Sequence, residues 1–259
     1  MVTYKGLKIA DCGFFINLKK DTDRLNHILD TLKKNSIEGF ERFDAISPKN
    51  HTSRQGSLSS HIQLIKKFGE TGLESCLILE DDIEFTEYLT LENILLINEK
   101  LKDDTVDAIW IGGCPHAMFR ESDNFSYIFS KACAFGIFIK KSFYNKLQPF
   151  LDKKQRIGSA DSFYNRMIYN GKKESEEIIN IIENKNIKND SVYDMLYTKQ
   201  LIFNYPIVVE SNNFYSNNDS NHILNKNRRS SDEYKKMFMQ KISRVVSINE
   251  IKKLQIRNL

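Results

Sequence analysis

The sequence predicts one α/β domain with a mostly parallel central sheet flanked by helices, and three observations predict it. Apolar strand-like runs alternate with segments of helical periodicity, the pattern of strands joined by crossover helices. No Pro/Gly/Ser-rich linker divides the 259 residues, a length that suits one sizeable domain. The run Leu77-Ile78-Leu79-Glu80-Asp81-Asp82-Ile83-Glu84-Phe85 ends an apolar strand in three carboxylates, where an open α/β sheet holds its ligand.

In chain order, Phe14 to Leu18 reads as a first buried strand. Asp21 to Asn35 reads as a helix with Leu25, Ile28, Leu29 and Leu32 at helical spacing, capped by Asp21 or Asp23. A strand at Phe40 to Ala45, a helix from Ser57 to about Gly69 and the strand Cys76 to Glu80 follow. Leu91 to Leu101 is helical, Asp107 to Gly113 is a buried strand ending in a Gly pair, and Ala132 to Ile139 is another strand. Helices are expected at Lys140 to Leu151 and Ser159 to Tyr169. The charged, Asn-rich stretch from Gly171 to Asp190 reads as a helical insertion or mobile segment rather than a substrate lid, and Leu201 to Val209 as a late strand or two interrupted by Pro206.

Composition narrows the function. Hydrophobic residues make up 41% of the chain, with 17 Phe and 11 Tyr, enough for a real core. No apolar run approaches the roughly 18–20 residues that span a bilayer. The start lacks the apolar segment of a signal peptide, so cytoplasmic residence is the expectation. Cys12, Cys76, Cys114 and Cys133 are widely spaced with no CxxC pair, so they are expected to act as small hydrophobes rather than as disulfides or zinc ligands.

Charge is uneven. From Lys226 onward ten Lys or Arg stand against three acids, a local +7 that leaves about −3 for residues 1–225 of a +4 chain. Two segments follow: 1–225 as the main domain and 226–259 as a basic helical segment, with Tyr234, Met237, Phe238, Lys241, Ile242 and Val245 at helical spacing. Packing on the core is the favoured reading of that segment, peripheral contact with an anionic membrane the other. Its basic residues do not interleave with a recognition motif, so nucleic-acid binding is not expected.

The acidic triple needs its context. With 34 acids in the chain, chance alone gives about 0.6 such triples, so the preceding apolar strand carries the argument. Oxygen-only clusters suit hard cations such as Mg²⁺ or Mn²⁺. In extended geometry Glu80 and Asp82 point to one side and Asp81 to the other, so that one of the first pair can hold a metal and its partner a hydroxyl. A solvated strand-end turn is the plain alternative.

An ordered series of segments adds a resemblance. FINL, DTDR, ERFDAI, a Gly-led SLSSH, LILEDDIEF, IWIGG, AFGIFI and ADSFY together resemble glycosyltransferase family 25, over roughly residues 12 to 170 and more loosely to His222. That family includes bacterial lipooligosaccharide galactosyltransferases and collagen galactosyltransferases. The resemblance implies the A-type glycosyltransferase fold and inverting transfer of a sugar, commonly galactose, from a UDP-sugar to a hydroxyl of a glycan or glycoconjugate. It departs from the family's pattern at Ser57-Leu58-Ser59-Ser60-His61, which lacks the usual Cys, at Ala134-Phe135-Gly136 and at Cys114-Pro115-His116. These departures bear on the acceptor more than on donor chemistry.

On this resemblance the triple matches a D-x-D motif, with Glu80 and Asp81 toward the ribose and metal shell and Asp82 as the direct Mn²⁺ (or Mg²⁺) ligand. His222 is the candidate that closes the metal shell from the C-terminal side, with Asp219 behind it; a surface-loop histidine is the alternative. Asn17 and Arg24, at a strand end and a helix start, would flank the uridine and offset phosphate charge, with a helix-surface charge the other reading of Arg24. Asp44 resembles the family's base-side loop or is an ordinary turn residue, and His61 either contacts the donor or caps and packs. Asp161, at the start of an acidic helix, is the general base implied for the acceptor hydroxyl, or else a helix cap. Trp110 offers a flat face for a sugar or a core residue. Two other classes are the alternatives: a non-catalytic nucleotide-sugar-binding module, and a metal-dependent phosphoesterase, which would need a second acidic cluster for two-metal chemistry.

Overall fold

The computed structural model describes residues 1–47, 53–151, 159–169 and 196–211, together with Phe214 and Lys236. In chain order the elements are strands Val2–Tyr4 (β1), Leu7–Ala10 (β2) and Cys12–Asn17 (β3), helix Thr22–Lys34 (α1), strands Ile37–Glu38 (β4) and Phe40–Asp44 (β5), and helix Ser53–Thr71 (α2). Strands Ser75–Glu80 (β6) and Ile83–Phe85 (β7), helix Leu91–Leu101 (α3), and strands Ala108–Trp110 (β8), Cys114–Arg120 (β9), Phe125–Ala132 (β10) and Gly136–Lys140 (β11) follow. Helices Lys141–Leu151 (α4) and Ala160–Tyr169 (α5) and strands Gln200–Phe203 (β12) and Val208–Glu210 (β13) complete the described chain.

The main sheet has eight strands in the order β5-β3-β6-β11-β8-β12-β10-β9. β3 runs parallel to β5 and β6, and β12 parallel to β8; β11 and β10 are antiparallel to both of their neighbours. Six of the eight strands therefore share one direction, and the sheet is mostly parallel, as the alternation of elements predicts. The central strands are continuous apolar runs because both faces are covered. Successive residues divide between the two cores with period two. Phe14, Ile16, Cys76, Ile78, Trp110, Ile137 and Ile139 join side chains of α2, α4 and α5 on one face. Phe15, Leu77, Leu79, Ile109 and Phe138 join Ile28 and Leu32 of α1 and Ile94 and Ile97 of α3 on the other.

Three features differ from the sequence expectation. The N-terminal hairpin β1–β2 and β4 form a small separate sheet, too short for periodicity to reveal. The hairpin β9–β10 stands where no strands were expected before Ala132, since Pro115 argues against a ladder position; β9 is the sheet's edge strand, where proline is tolerated. Third, the chain does not stay extended through the acidic triple. β6 stops at Glu80 and Asp81 and Asp82 form a turn before β7, so side-chain alternation does not carry through them. The two late strands do flank Pro206. Residues 171–190, and 226–259 apart from Lys236, lie outside the described residues.

Candidate active site

The site is built where two parallel strands end side by side. Asn17 closes β3 and Glu80 closes its neighbour β6, at the C-terminal edge that positions ligands in α/β sheets. The turn that follows brings Asp81 and Asp82 onto one cation. Arg24 Nη1 donates to Asp81 Oδ1 and to Asp82 Oδ2, each at 2.9 Å, and Asn17 Nδ2 donates to Asp81 Oδ2 at 2.7 Å. All four side chains are buried. Both oxygens of Asp81 are thus engaged, whereas Asp82 Oδ1 is buried with no hydrogen-bond partner among the described residues, as is Asn17 Oδ1.

Charge follows from this packing. Burial works against the Arg24 guanidinium, but facing Asp82 and Asp81 outweigh it and hold its proton more firmly than usual. Burial pushes the Asp81 carboxyl up, with Arg24 pulling the other way. One guanidinium facing two carboxylates leaves a net negative site. The turn is braced from the C-terminal side, where β13 pairs with β7 and Ser211 N donates to Asp82 O at 2.6 Å. Phe214 lies over Arg24, 5.4 Å from the guanidinium carbon to the ring centroid, and edge-on to His27.

A second group faces the triple from α2, α5 and β10. Glu80 is half-buried, and burial together with Asp82, Asp161, Asp81 and Glu210 raises its carboxyl well above the usual range. His61 Nε2 points at Glu80 Oε1 from 3.6 Å and makes no hydrogen bond among the described residues, while its Nδ1 lies 3.0 Å from the Tyr164 hydroxyl. Burial, with Lys131 nearby, lowers the imidazole to about 3, so His61 is neutral at physiological pH. Asp161 sits in the first turn of α5, within electrostatic reach of both Glu80 and Lys131. The cap there comes from Ser159, whose Oγ accepts from Ser162 N at 3.4 Å, so capping does not account for Asp161.

Lys131 is the residue that sequence reading missed. It is 2% exposed, its Nζ donates to Cys133 O at 2.6 Å and rests 3.3 Å from the Trp110 ring centroid. Asn165, one turn after Asp161, clamps its backbone, accepting from Lys131 N at 3.1 Å and donating to Lys131 O at 2.7 Å. Burial lowers the ammonium pKa, while Asp161, Cys133, Cys114 and Glu80 oppose that shift. A lone Lys in a strand gives no local signal of burial; only its partners, remote in sequence, reveal it. The same holds for Tyr164, read only as part of a motif, and for Glu210.

Of the other expected residues, Asp44 ends β5 beside Asn17 but is exposed and 3.3 Å from Arg42 Nε. Trp110 is a core residue at 0% exposure with Nε1 donating to Gln200 Oε1, which excludes the sugar-facing alternative. Gly112 follows it because an added Cβ would stand 2.4 Å from Val208 O. His222 and Asp219 lie outside the described residues. Among the described residues no group of three or more His, Cys, Asp or Glu is arranged to hold a metal, and no helix is long and apolar enough to cross a membrane. A buried carboxylate oxygen without a hydrogen-bond partner among the described residues does suit a cation that takes its other ligands from phosphate and water.

The fold is a mixed α/β domain with a large, mostly parallel central sheet flanked by helices, the class expected from the sequence. Glycosyltransferase family 25 (LPS biosynthesis protein) matches residues 11–59 and 54–193, most of the chain, and the chain belongs to that family, with glycosyl transfer as its role. No curated protein matches it. Among solved structures it is similar to A197 from STIV, at 14% identity and TM-score 0.36 over 60% of this chain and 75% of that one. It is also similar to a glycosyltransferase involved in glycosylation of the major capsid of PBCV-1, at 10% identity and TM-score 0.36 over 74% and 93%. A Drosophila galactosyltransferase 7 mutant in complex with manganese, UDP-Gal and xylobiose shares 9% identity and TM-score 0.36 over 60% of each chain.

Proposed function

We propose that the chain transfers a hexosyl group, galactose or glucose, from a UDP-sugar to a hydroxyl of a glycan or glycoconjugate with inversion, aided by Mn²⁺ or Mg²⁺. The observation that carries this reading is Asp82 Oδ1, a buried carboxylate oxygen with no hydrogen-bond partner among the described residues, in a turn whose other oxygens Arg24 and Asn17 already hold. Asp82 would ligate the cation, with His222 completing the shell; when bound, the cation stabilises the negative charge on the departing diphosphate.

The residues divide the remaining work. Arg24 and Asn17 fix the orientation of Asp81 and Asp82 before substrate arrives, which avoids reorganisation during reaction. Glu80 and Asp44 line the donor side. Neutral His61 adds no charge beside the diphosphate. Asp161 takes the proton of the acceptor hydroxyl as its oxygen bonds to the anomeric carbon and the bond to UDP breaks. The transferase unit comprises residues 1–225. The basic segment 226–259 packs on it or contacts an anionic membrane, and salt-sensitive liposome binding lost on truncation would select the latter.

The decisive experiment incubates the protein with a panel of UDP-sugars and Mn²⁺, reading thermal shift and UDP release. Release that persists in excess chelator, or in Asp82→Ala, would overturn the metal assignment.

A further inference from the structure

Cys114 and Cys133 are 19 positions apart, with Sγ atoms 2.8 Å apart, inside ordinary van der Waals separation of two sulfurs. The backbone makes the meeting possible. Cys114 pairs across the β9–β10 ladder with Ala132, so continued extension would send residue 133 to the opposite face. Cys133 instead takes φ 62°, a left-handed conformation unfavourable for a residue with a Cβ, and this breaks the alternation. Both cysteines are half-buried, whereas Cys76, adjacent to Cys12 across β3–β6, is buried. Lys131 Nζ, hydrogen-bonded to Cys133 O at 2.6 Å, lies within electrostatic reach of both thiols.

We propose that Cys114 and Cys133 form a reversible dithiol–disulfide site that is oxidised by small disulfides of the glutathione type. One protein thiolate attacks a sulfur of RS–SR, forming a mixed disulfide and releasing RS⁻. The second thiolate attacks the protein sulfur of that mixed disulfide and expels the second RS⁻. Two protein thiols lose two electrons, the small disulfide gains them, and the two protons pass to the departing thiolates. The bond ties the start of β9 to the end of β10 beside Lys131, whose backbone Asn165 holds to the helix carrying Asp161. The inference does not depend on which donor or acceptor the enzyme uses.

The test poises the full-length chain in graded ratios of reduced to oxidised glutathione, quenches with acid, alkylates remaining thiols and maps peptides by mass. The expected result is joint protection of two of the 4 cysteines, with a peptide pair linking Cys114 to Cys133 that excess reduced glutathione dissolves. Cys114→Ser and Cys133→Ser should each abolish the link and leave Cys12 and Cys76 as before. Alkylation of all the cysteines at every ratio, glutathione retained on one of them, or a Cys12–Cys76 link in its place would overturn the proposal. The wild-type map decides even if a serine variant misfolds.

Discussion

Arg24 donates to Asp81 Oδ1 at 2.9 Å across 57 positions of sequence, and the same nitrogen reaches Asp82 Oδ2 at the same distance. One buried guanidinium therefore holds α1 against the acidic turn and offsets one of its two charges. Arg24→Met removes the cation but keeps much of the volume. Two buried carboxylates then face each other uncompensated, and the expected cost is about 3–5 kcal/mol of stability. Denaturant midpoints measure it, and added Mn²⁺ with UDP should recover part of the loss. A variant as stable as wild type would mean that the turn opens to solvent without penalty.

Asp82→Asn tests the cation more directly. The carboxamide preserves size and the Arg24 side of the turn, but its neutral oxygen is a poor ligand for a hard dication. Metal-dependent donor binding should weaken and turnover fall about 10²-fold or more. Isothermal titration with UDP, with and without Mn²⁺, separates the two effects; equal affinity in both conditions would remove Asp82 from the metal shell.

How much of this site could be read in advance depends on how local each signal was. Glu80, Asp81 and Asp82 announce themselves because an apolar strand runs straight into them, and Asn17 and Arg24 because they flank a strand-to-helix junction. What one residue does to the next was less legible. Period-two alternation places Asp81 opposite Asp82, but the strand ends at Glu80 and both acids reach Arg24. Lys131 and Asn165 gave no signal, because their meaning lies in contacts across 34 positions. His61 stood with its two readings open, and its burial against Tyr164 emerges only once α2 and α5 pack.

His61 predicts a specific acid sensitivity. Its folded pKa of about 3 lies below the ordinary 6.5, so between these values the unfolded chain binds a proton that the folded chain refuses. Stability therefore falls as pH drops through that window, at up to about 1.4 kcal/mol per pH unit from this group. Glu80 acts with the opposite sign. Its raised pKa stabilises the fold fully below the ordinary 4.5, and that contribution is lost as pH rises through the folded value. Comparing wild type with His61→Gln in urea from about pH 7 to about pH 4 isolates the first effect, because the variant should flatten the acid slope. Parallel slopes would show that the ring takes up its proton inside the fold.

Asp161 separates acceptor chemistry from donor chemistry. It stands at the start of α5 without serving as its cap, since Ser159 fills that place, and it faces Glu80 and buried Lys131. If it removes the acceptor proton, Asp161→Asn keeps size and polarity but cannot accept that proton, so transfer should fall about 10²–10⁴-fold while donor affinity holds. Lys131→Met should lower kcat in the same direction by withdrawing the neighbouring charge, and should add little in the Asp161→Asn background, because residues acting as a unit are not additive. Donor hydrolysis without acceptor gives the control, since water needs less help from a base placed for a sugar hydroxyl. Near-normal transfer by Asp161→Asn, accompanied only by a lower melting temperature, would make the residue a helix-end charge and move the search for the base to Glu80 and Glu210.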